Sequence, residues 1–177
     1  MHYIDEIRNM AEQNGIPLHL ISDRVAAERG ENAQGQMIFT NRDVLVNADL
    51  VTYLPIWEGF GNALLEAVAA KVPVVTTAYL VYKTDIKVIG FDNIEVRDIY
   101  DKYGRLVIDE AVLKKIQQVL SDREYRSKMV ERNFKLGQRE FGMKRLKNLL
   151  GDVIDEYGDE IRACRKRIEK SKRRYPV

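Results

Sequence analysis

The sequence predicts an α/β protein, with a Rossmann-like parallel sheet, flanking helices and further helices at the carboxyl end. Apolar segments of strand length alternate with amphipathic segments of helix length, an order typical of parallel strands joined by crossover helices. Residues 72–77 form a nearly continuous β-branched run, which suits a strand buried on both faces. From Glu110 onward the apolar residues recur at helical spacing.

The amino-terminal part is predicted to begin with a helix over residues 3–14, whose apolar residues recur at helical spacing. Gly15 ends this helix and Pro17 keeps it from resuming. Residues 18–22 then form the first predicted strand. The polar residues 26–36 are predicted to be a loop or a frayed turn.

The middle of the chain is expected to supply the other strands and one crossover helix. After a short apolar run at 37–39, Asn41 or Asp43 is expected to cap a single helical turn. An alanine-rich helix is predicted over residues 62–70. The strands predicted here are 50–54 and 72–77, with weaker candidates at 94–96 and 106–108.

The carboxyl-terminal part is predicted to be helical throughout. Its three expected helices are 110–121, 124–141 and 143–172. Because the carboxyl ends of parallel strands face one edge of the sheet, a ligand is expected near the segments that follow Ser22, Leu54 and Thr77.

The composition places the chain among ordinary globular proteins. It has 177 residues, of which 45% are hydrophobic and 32% charged, which excludes disordered, collagen-like and disulfide-stabilised miniproteins. No apolar run reaches the roughly 18 residues of a spanning helix, and the acids among the first ten residues argue against a signal peptide. The lone Cys164 excludes an internal disulfide and a multi-cysteine zinc site. We therefore expect a cytoplasmic protein without a metal.

The net charge of +2 conceals a basic carboxyl terminus. Residues 162–177 carry eight basic side chains and only Glu169 as an acid, so the remainder is mildly acidic. This distribution gives no reason to expect nucleic-acid binding. The tail has two open interpretations: a contact with an anionic membrane surface, or a solvated helix end that favours basic residues.

The segment 55–67 carries the chemistry. Gly59 and Gly61 flank Phe60 at a strand-to-helix turn, where glycine allows positive φ and close approach of a ligand. The following helix begins near Asn62 and presents unpaired N–H groups, which favour a phosphate or diphosphate. Glu58 and Glu66 can flank this position and accept hydrogen bonds from sugar hydroxyls. The residues thus indicate a sugar-phosphate or nucleotide-sugar ligand, although acids near a glycine turn also stabilise helices without a ligand.

The segment from Glu58 to Glu66 resembles the Glu-x7-Glu signature of retaining GT-B glycosyltransferases, most closely the large group-1 family (family 4). Residues 47–55 are similar to the stretch before this signature in that family, and residues 122–133 to its late helix. The resemblance implies that the chain is the carboxyl-terminal, donor-binding domain, truncated at its amino-terminal side. The enzyme of which it is a part would transfer a hexose from a nucleoside diphosphate sugar to an unknown acceptor, and the isolated chain is expected to be incomplete and inactive.

The resemblance also implies a role for each residue of the motif. Glu58 is the implied catalytic residue, which contacts the transferred sugar near the reacting centre, and Glu66 binds the ribose of the nucleotide. The implied backbone contacts to the donor sugar and diphosphate come from Gly59, Phe60, Gly61, Asn62, Ala63 and Leu64. Residues 22–24 fall where the family lines the base. No metal or other cofactor is implied, because basic groups and the helix dipole neutralise the diphosphate.

The chain departs from the family in ways that set further expectations. This sequence has no counterpart of the family's acceptor domain or of the first strands of its donor domain. It also lacks the Arg/Lys pair that holds the diphosphate in the family, for which Arg24, Lys83 and Lys87 are candidate substitutes. Sheet edges left open by the missing strands would favour homo-oligomers. The run 79–87 is interpreted either as an altered lid over the donor or as a solvated loop.

The domain organisation expected from these features is a partial nucleotide-sugar-binding domain over 1–150 and a basic helical tail over 151–177. The alternative to an enzyme part is a non-catalytic nucleotide-sugar-binding or regulatory α/β module. A cytoplasmic location with peripheral membrane contact through the tail suits either function.

Overall fold

The computed structural model describes residues 3–97 and 100–174. Two compact units make up the chain, residues 1–48 and residues 49–177. The second unit contains a parallel sheet with flanking helices, which confirms the predicted α/β fold class. None of the helices within the described residues is long and apolar enough to cross a membrane.

The first unit combines a small mixed sheet with two helices. Its helices are α1 (Tyr3–Gln13) and α2 (Asn41–Leu45). Its strands are β1 (Val25–Ala26), β2 (Gly30–Glu31) and β3 (Met37–Thr40). Strand β3 lies in the centre, parallel to β1 and antiparallel to β2. Helix α1 confirms the helix predicted over 3–14.

Three predictions for this unit are wrong. Residues 18–21 lie outside the strands and Ser22–Arg24 form a 3₁₀ turn, because both edges of the four-residue β3 are already paired with β1 and β2. Part of the predicted loop 26–36 pairs as β2. The cap of α2 is Thr40 rather than Asn41 or Asp43, and Asp43 completes a capping box three residues later.

The second unit is built on a parallel sheet of three strands. They are β4 (Val51–Tyr53), β5 (Val74–Thr77) and β6 (Ile94–Val96), in the order β4–β5–β6. Helix α3 (Asn62–Ala69) connects β4 to β5. All four residues of β5 are buried, as the β-branched run predicted. The strands predicted at 50–54, 72–77 and 94–96 are confirmed, whereas residues 106–108 contribute only an isolated bridge from Leu106 to Tyr100.

Two short helical turns, Tyr82–Ile86 and Lys87–Ile89, follow β5. Three α-helices complete the described part of this unit and confirm the helical carboxyl-terminal part. They are α4 (Glu110–Ser121), α5 (Arg123–Phe141) and α6 (Met143–Arg174). Aspartates cap the first two, since the carboxylates of Asp109 and Asp122 accept backbone N–H groups of α4 and α5. Helix α6 runs without interruption across residues 150 and 151, so the predicted division there lies inside one helix.

One part of the core of this unit lies between the sheet and helices α4 and α5. Its buried cluster comprises Val75, Ile94, Val96, Val112, Val119 and Met129. Helix α3 packs against α5 on another side of α5. A Cβ atom on Gly137 would lie 3.1 Å from the Cγ1 atom of Val68, so a glycine in α5 lets these helices approach closely.

A buried asparagine fastens α5 to the segment before β6. Asn133 is 3% exposed, and its amide oxygen accepts the backbone N–H of Asp92 at 2.8 Å. Its amide nitrogen donates to the Asp92 carbonyl oxygen at 2.8 Å and to the side-chain oxygen of Asn93 at 3.2 Å. One side chain thus satisfies two backbone groups of a non-helical segment.

We expect Asn133→Ala to lower the free energy of unfolding by about 2–3 kcal/mol, because it removes these bonds and leaves buried polar groups unpaired. Urea unfolding followed by circular dichroism measures the change. Ser127→Ala, at an exposed position of the same helix, is the control and should change stability by less than about 0.5 kcal/mol. Equal effects of the two substitutions would contradict the anchoring role.

Candidate functional site

The candidate site is the turn between β4 and α3, at the carboxyl ends of β4 and β5. Gly61 is the N-cap of α3 and adopts φ +107°, a left-handed conformation. A Cβ atom there would lie 2.1 Å from the Tyr79 hydroxyl oxygen, so only glycine fits. The N-cap residue Gly61 has no side chain, so no side-chain cap hydrogen bond is made to the amino terminus of α3. Gly59, by contrast, has open space around it and no positive φ.

Glu58 is held within the turn. One of its carboxylate oxygens accepts the Tyr53 hydroxyl at 2.5 Å, and the other accepts the N–H groups of Gly59 at 2.8 Å and Phe60 at 3.3 Å. These donors, the Tyr53 hydroxyl foremost, lower the pKa of Glu58 below its ordinary value, so it is a carboxylate at neutral pH. Two of the N–H groups predicted to meet a donor substrate therefore bond to Glu58 in this structure.

Buried tyrosines surround the turn. Tyr79 is 4% exposed, donates to the Phe60 carbonyl oxygen at 3.3 Å, and meets the Tyr53 ring edge-on with centroids 6.3 Å apart. Burial and the nearby charge of Glu58 raise the pKa of Tyr79 to about 12. Tyr82 is buried as well. The lid interpretation is therefore wrong for these two tyrosines, which pack beside the turn.

The acidic residue Glu95 of β6 extends this arrangement. Its carboxylate accepts the Tyr82 hydroxyl at 3.0 Å and the Lys87 ammonium at 2.5 Å. Burial is the main cause that raises the pKa of Tyr82, and the adjacent Glu95 carboxylate adds to it. Lys87, a candidate diphosphate ligand in the sequence, is thus paired with Glu95.

Glu66 lies in different surroundings from Glu58. It borders a cavity of about 380 Å³ between α3 and α5. The residues that line this cavity are Asn62, Leu65, Glu66, Val68, Ala69, Phe134, Gly137, Gln138, Phe141 and Gly142. Glu58 does not line this cavity. The spacing of Glu58 and Glu66 predicted that both carboxylates flank one crevice, but only Glu66 lies at this cavity.

The remaining motif residues divide by exposure. Asn62 and Ala63 are exposed at the start of α3, whereas Leu64 is fully buried and offers a ligand only its backbone. The Phe60 ring packs edge-to-face on Phe141 at the end of α5, with centroids 5.7 Å apart. The side chain of Phe60 therefore anchors the turn to the helix that lines the cavity.

Of the other predicted contact residues, Ser22, Asp23 and Arg24 lie in the first unit and Lys83 lies in the second. Ser22, Asp23 and Arg24 form the 3₁₀ turn, and the Arg24 guanidinium donates to the Met37 carbonyl oxygen at 2.8 Å. Lys83 is exposed. Within the described residues no group of three or more His, Cys, Asp or Glu side chains is placed to hold a metal ion.

Tyr53 and Thr77 support the site and were missed from the sequence. Tyr53 is the hydroxyl donor to Glu58, and Thr77 donates through its hydroxyl to the Pro55 carbonyl oxygen at 2.5 Å. Both lie at the carboxyl ends of strands, β4 and β5, where ligand sites of parallel sheets form. Their position at the ends of predicted strands could have marked both residues as candidates. The hydrogen-bond partner of each hydroxyl, however, is determined by tertiary contacts.

Comparison with known proteins gives the family. The profile of the family "Glycosyl transferases group 1" matches residues 33–136, more than half of the chain and all of the turn. The chain belongs to this family. The recognition made from the Glu-x7-Glu segment is thereby confirmed at family level.

Two curated relatives carry the name mannosylglucosylglycerate synthase. The one from Thermotoga maritima is 37% identical over 158 residues, which cover 86% of this chain and 35% of the relative. The one from Petrotoga mobilis is 34% identical over 150 residues, with coverage of 80% and 34%. The chain therefore spans about a third of the length of these relatives.

Among solved structures, the crystal structure of WaaG, a glycosyltransferase involved in lipopolysaccharide biosynthesis, is similar to this chain with a TM-score of 0.49. The two are 19% identical, and the match covers 76% of this chain and 31% of WaaG.

We expect Gly61→Ala to destabilise the protein by about 2–4 kcal/mol, because it combines a left-handed backbone with a collision against the Tyr79 hydroxyl. In a Tyr79→Phe background, Gly61→Ala should lower the free energy of unfolding by a smaller amount. The colliding oxygen is then gone, while the backbone strain remains. Thermal and urea unfolding measure the double-mutant cycle. Gly59→Ala, the matched control, should change stability by less than about 0.5 kcal/mol. An additive cycle would contradict the contact.

We expect Tyr53→Phe to raise the pKa of Glu58, because the hydroxyl that most stabilises its carboxylate is lost. The pKa of Glu58 in the folded protein lies below its ordinary value, so the ionised carboxylate stabilises the folded state. This contribution to the free energy of unfolding is present at a pH above the ordinary pKa and is lost as the pH falls through the pKa of the folded state. Carbon NMR titration of the Glu58 carboxyl group measures the shift. Tyr103→Phe, at an exposed tyrosine, should leave it unchanged.

Proposed function

We propose that this chain is the donor nucleotide-sugar-binding part of a retaining glycosyltransferase, which transfers a hexose from a nucleoside diphosphate sugar. The observation that carries the proposal is the amino terminus of α3. It follows a left-handed glycine, has no side-chain cap, and lies inside the residues that match the group-1 family. An uncapped helix amino terminus is suited to a diphosphate, because its N–H groups and dipole both favour negative charge.

The proposed donor places its diphosphate at Asn62, Ala63 and Leu64, where the backbone N–H groups of the first turn bind it. Glu66 accepts hydrogen bonds from the ribose hydroxyls at the mouth of the cavity between α3 and α5. Asn62 lines the same cavity one helical turn earlier. The ribose and the diphosphate thus lie against one face of α3.

Glu58 is the proposed contact to the transferred hexose. Its carboxylate is oriented by Tyr53 and by two N–H groups of the turn, so little conformational freedom is lost when it accepts a sugar hydroxyl. In the reaction the bond from the anomeric carbon to the diphosphate oxygen breaks, a bond to an acceptor hydroxyl oxygen forms on the same face, and the acceptor proton leaves with the diphosphate or to solvent. The helix dipole stabilises the charge that develops on the departing diphosphate.

The acceptor and the donor sugar are proposed from the relatives. Because the chain spans about a third of their length, we propose that an acceptor-binding domain outside these 177 residues completes the catalytic cleft. The name of both relatives contains a mannosyl group, which makes nucleoside diphosphate mannose the first donor to test.

A second candidate function is a non-catalytic nucleotide-sugar-binding or regulatory module. Two of the basic side chains considered for the diphosphate are engaged elsewhere, Arg24 with the Met37 carbonyl oxygen and Lys87 with Glu95. A site that holds the diphosphate mainly through backbone N–H groups would bind the donor. It would, however, stabilise poorly the negative charge that develops on the diphosphate as it leaves the sugar.

We expect a nucleoside diphosphate sugar to raise the melting temperature of the chain, because it binds only the folded state. The screen compares UDP-, GDP- and ADP-linked hexoses by differential scanning fluorimetry and confirms hits by calorimetry. Glu66→Ala should weaken binding at least about tenfold, as expected for a lost charged hydrogen bond. Glu6→Ala, at an exposed glutamate of α1, is the matched control and should bind normally.

Release of nucleoside diphosphate from the bound donor would identify the enzyme part. Slow release that Glu58→Gln abolishes, with donor binding retained, supports that candidate. Binding without release is expected of the non-catalytic module and equally of an enzyme part tested without its acceptor-binding domain. The absence of binding to all donors would contradict both.

A further inference from the structure

Helix α6 carries an apolar stripe that nothing in the described chain covers. The stripe is formed by Leu150, Ile154, Tyr157, Ile161, Cys164 and Ile168. Its five large residues are between 45% and 57% exposed, and Cys164 is also exposed. Exposed apolar residues in a continuous row are unusual in a solvated helix and indicate an interaction surface.

The spacing of the stripe is that of a coiled coil. Successive members are separated by four, three, four, three and four residues, which is an unbroken heptad pattern over nearly three repeats. One of the two core positions of the heptad is isoleucine in every repeat, at 154, 161 and 168. The 3.5-residue period is what keeps one seam of a helix facing a partner helix along its length.

Charges along α6 are arranged in two adjoining segments of opposite sign. We define the acidic segment as residues 152–160, with Asp152, Asp155, Glu156, Asp159 and Glu160, and no basic residue. The basic segment is residues 162–170, with Arg162, Arg165, Lys166, Arg167 and Lys170 against one acid, Glu169. Two ion pairs within the helix, Arg162 with Asp159 and Arg165 with Glu169, leave these side chains largely exposed.

We propose that α6 pairs with α6 of a second copy of this chain as an antiparallel coiled coil centred near Ile161. In that arrangement the acidic segment of each helix lies beside the basic segment of the other, and Tyr157 faces the region of Ile168. A parallel pair in register would instead place acidic beside acidic and basic beside basic, which is unfavourable.

The acidic segment also argues against a membrane as the occupant. A helix that lies on an anionic bilayer carries basic residues along its polar face. Here five carboxylates accompany Ile154, Tyr157 and Ile161, and an anionic surface would repel them. A second copy supplies opposite charge for both segments at once.

Sedimentation velocity of the full 177-residue chain at micromolar concentration tests the pairing. We expect a dimer that weakens as salt is raised, because part of the attraction is between charges. Ile161→Asp should weaken dimerisation at least about tenfold, since it places a charge in the centre of the seam. Ala163→Asp adds the same charge outside the stripe and should dimerise like the unaltered chain. Circular dichroism of both variants checks that α6 stays helical.

Disulfide trapping tests the orientation. In a Cys164→Ser background, Tyr157→Cys mixed with Ile168→Cys should give a crosslinked dimer on oxidation, and Tyr157→Cys alone should not. Crosslinking of Tyr157→Cys with itself would overturn the antiparallel arrangement.

The proposal fails if the chain is monomeric throughout the concentration range. It also fails if Ile161→Asp and Ala163→Asp dimerise equally. Co-sedimentation of a monomeric chain with phosphatidylglycerol vesicles, lost in Ile161→Asp, would assign the stripe to a membrane instead and overturn it.

Discussion

The arrangement around the candidate site depends on one steric constraint, the contact between Gly61 and the Tyr79 hydroxyl. Gly61 turns the chain from the end of β4 into α3 through a left-handed conformation, and no other residue fits against the tyrosine. Tyr79 follows β5 and is buried, so it cannot move away to accommodate a side chain. The direction of α3, the position of its uncapped amino terminus and the course of residues 58–60 all follow from this contact.

The turn is then held by hydroxyl groups from two neighbouring strands. Tyr53 at the end of β4 bonds to Glu58, and Thr77 at the end of β5 bonds to the Pro55 carbonyl oxygen. These bonds set the orientation of the Glu58 carboxylate before any ligand arrives, as its proposed contact to a sugar would require. The buried network on Tyr82 and Glu95 gives this region a rigid support that reaches β6.

Helix α6 contrasts with this compact region. Its heptads and charge segments are local features, and within the described residues its apolar stripe stays uncovered. A long helix with such a stripe gains most of its stability from a partner surface rather than from intrinsic propensity. Family membership and the proposed coiled coil therefore concern different parts of the molecule. The family match covers residues 33–136, whereas the proposed coiled coil involves α6.

The sequence by itself determined the helices, strands β4 to β6 and the glycine turn, because periodicity, β-branched runs and glycine chemistry act over a few residues. The motif from Glu58 to Glu66 also identified the family correctly. Only the tertiary structure decided that residues 18–21 are not a strand, that Tyr79 and Tyr82 are buried packing, and that Glu58 bonds to Tyr53 while Glu66 borders the cavity against α5. Each of these depends on which distant segment occupies a strand edge or a helix face, and residue spacing along the chain does not contain that information.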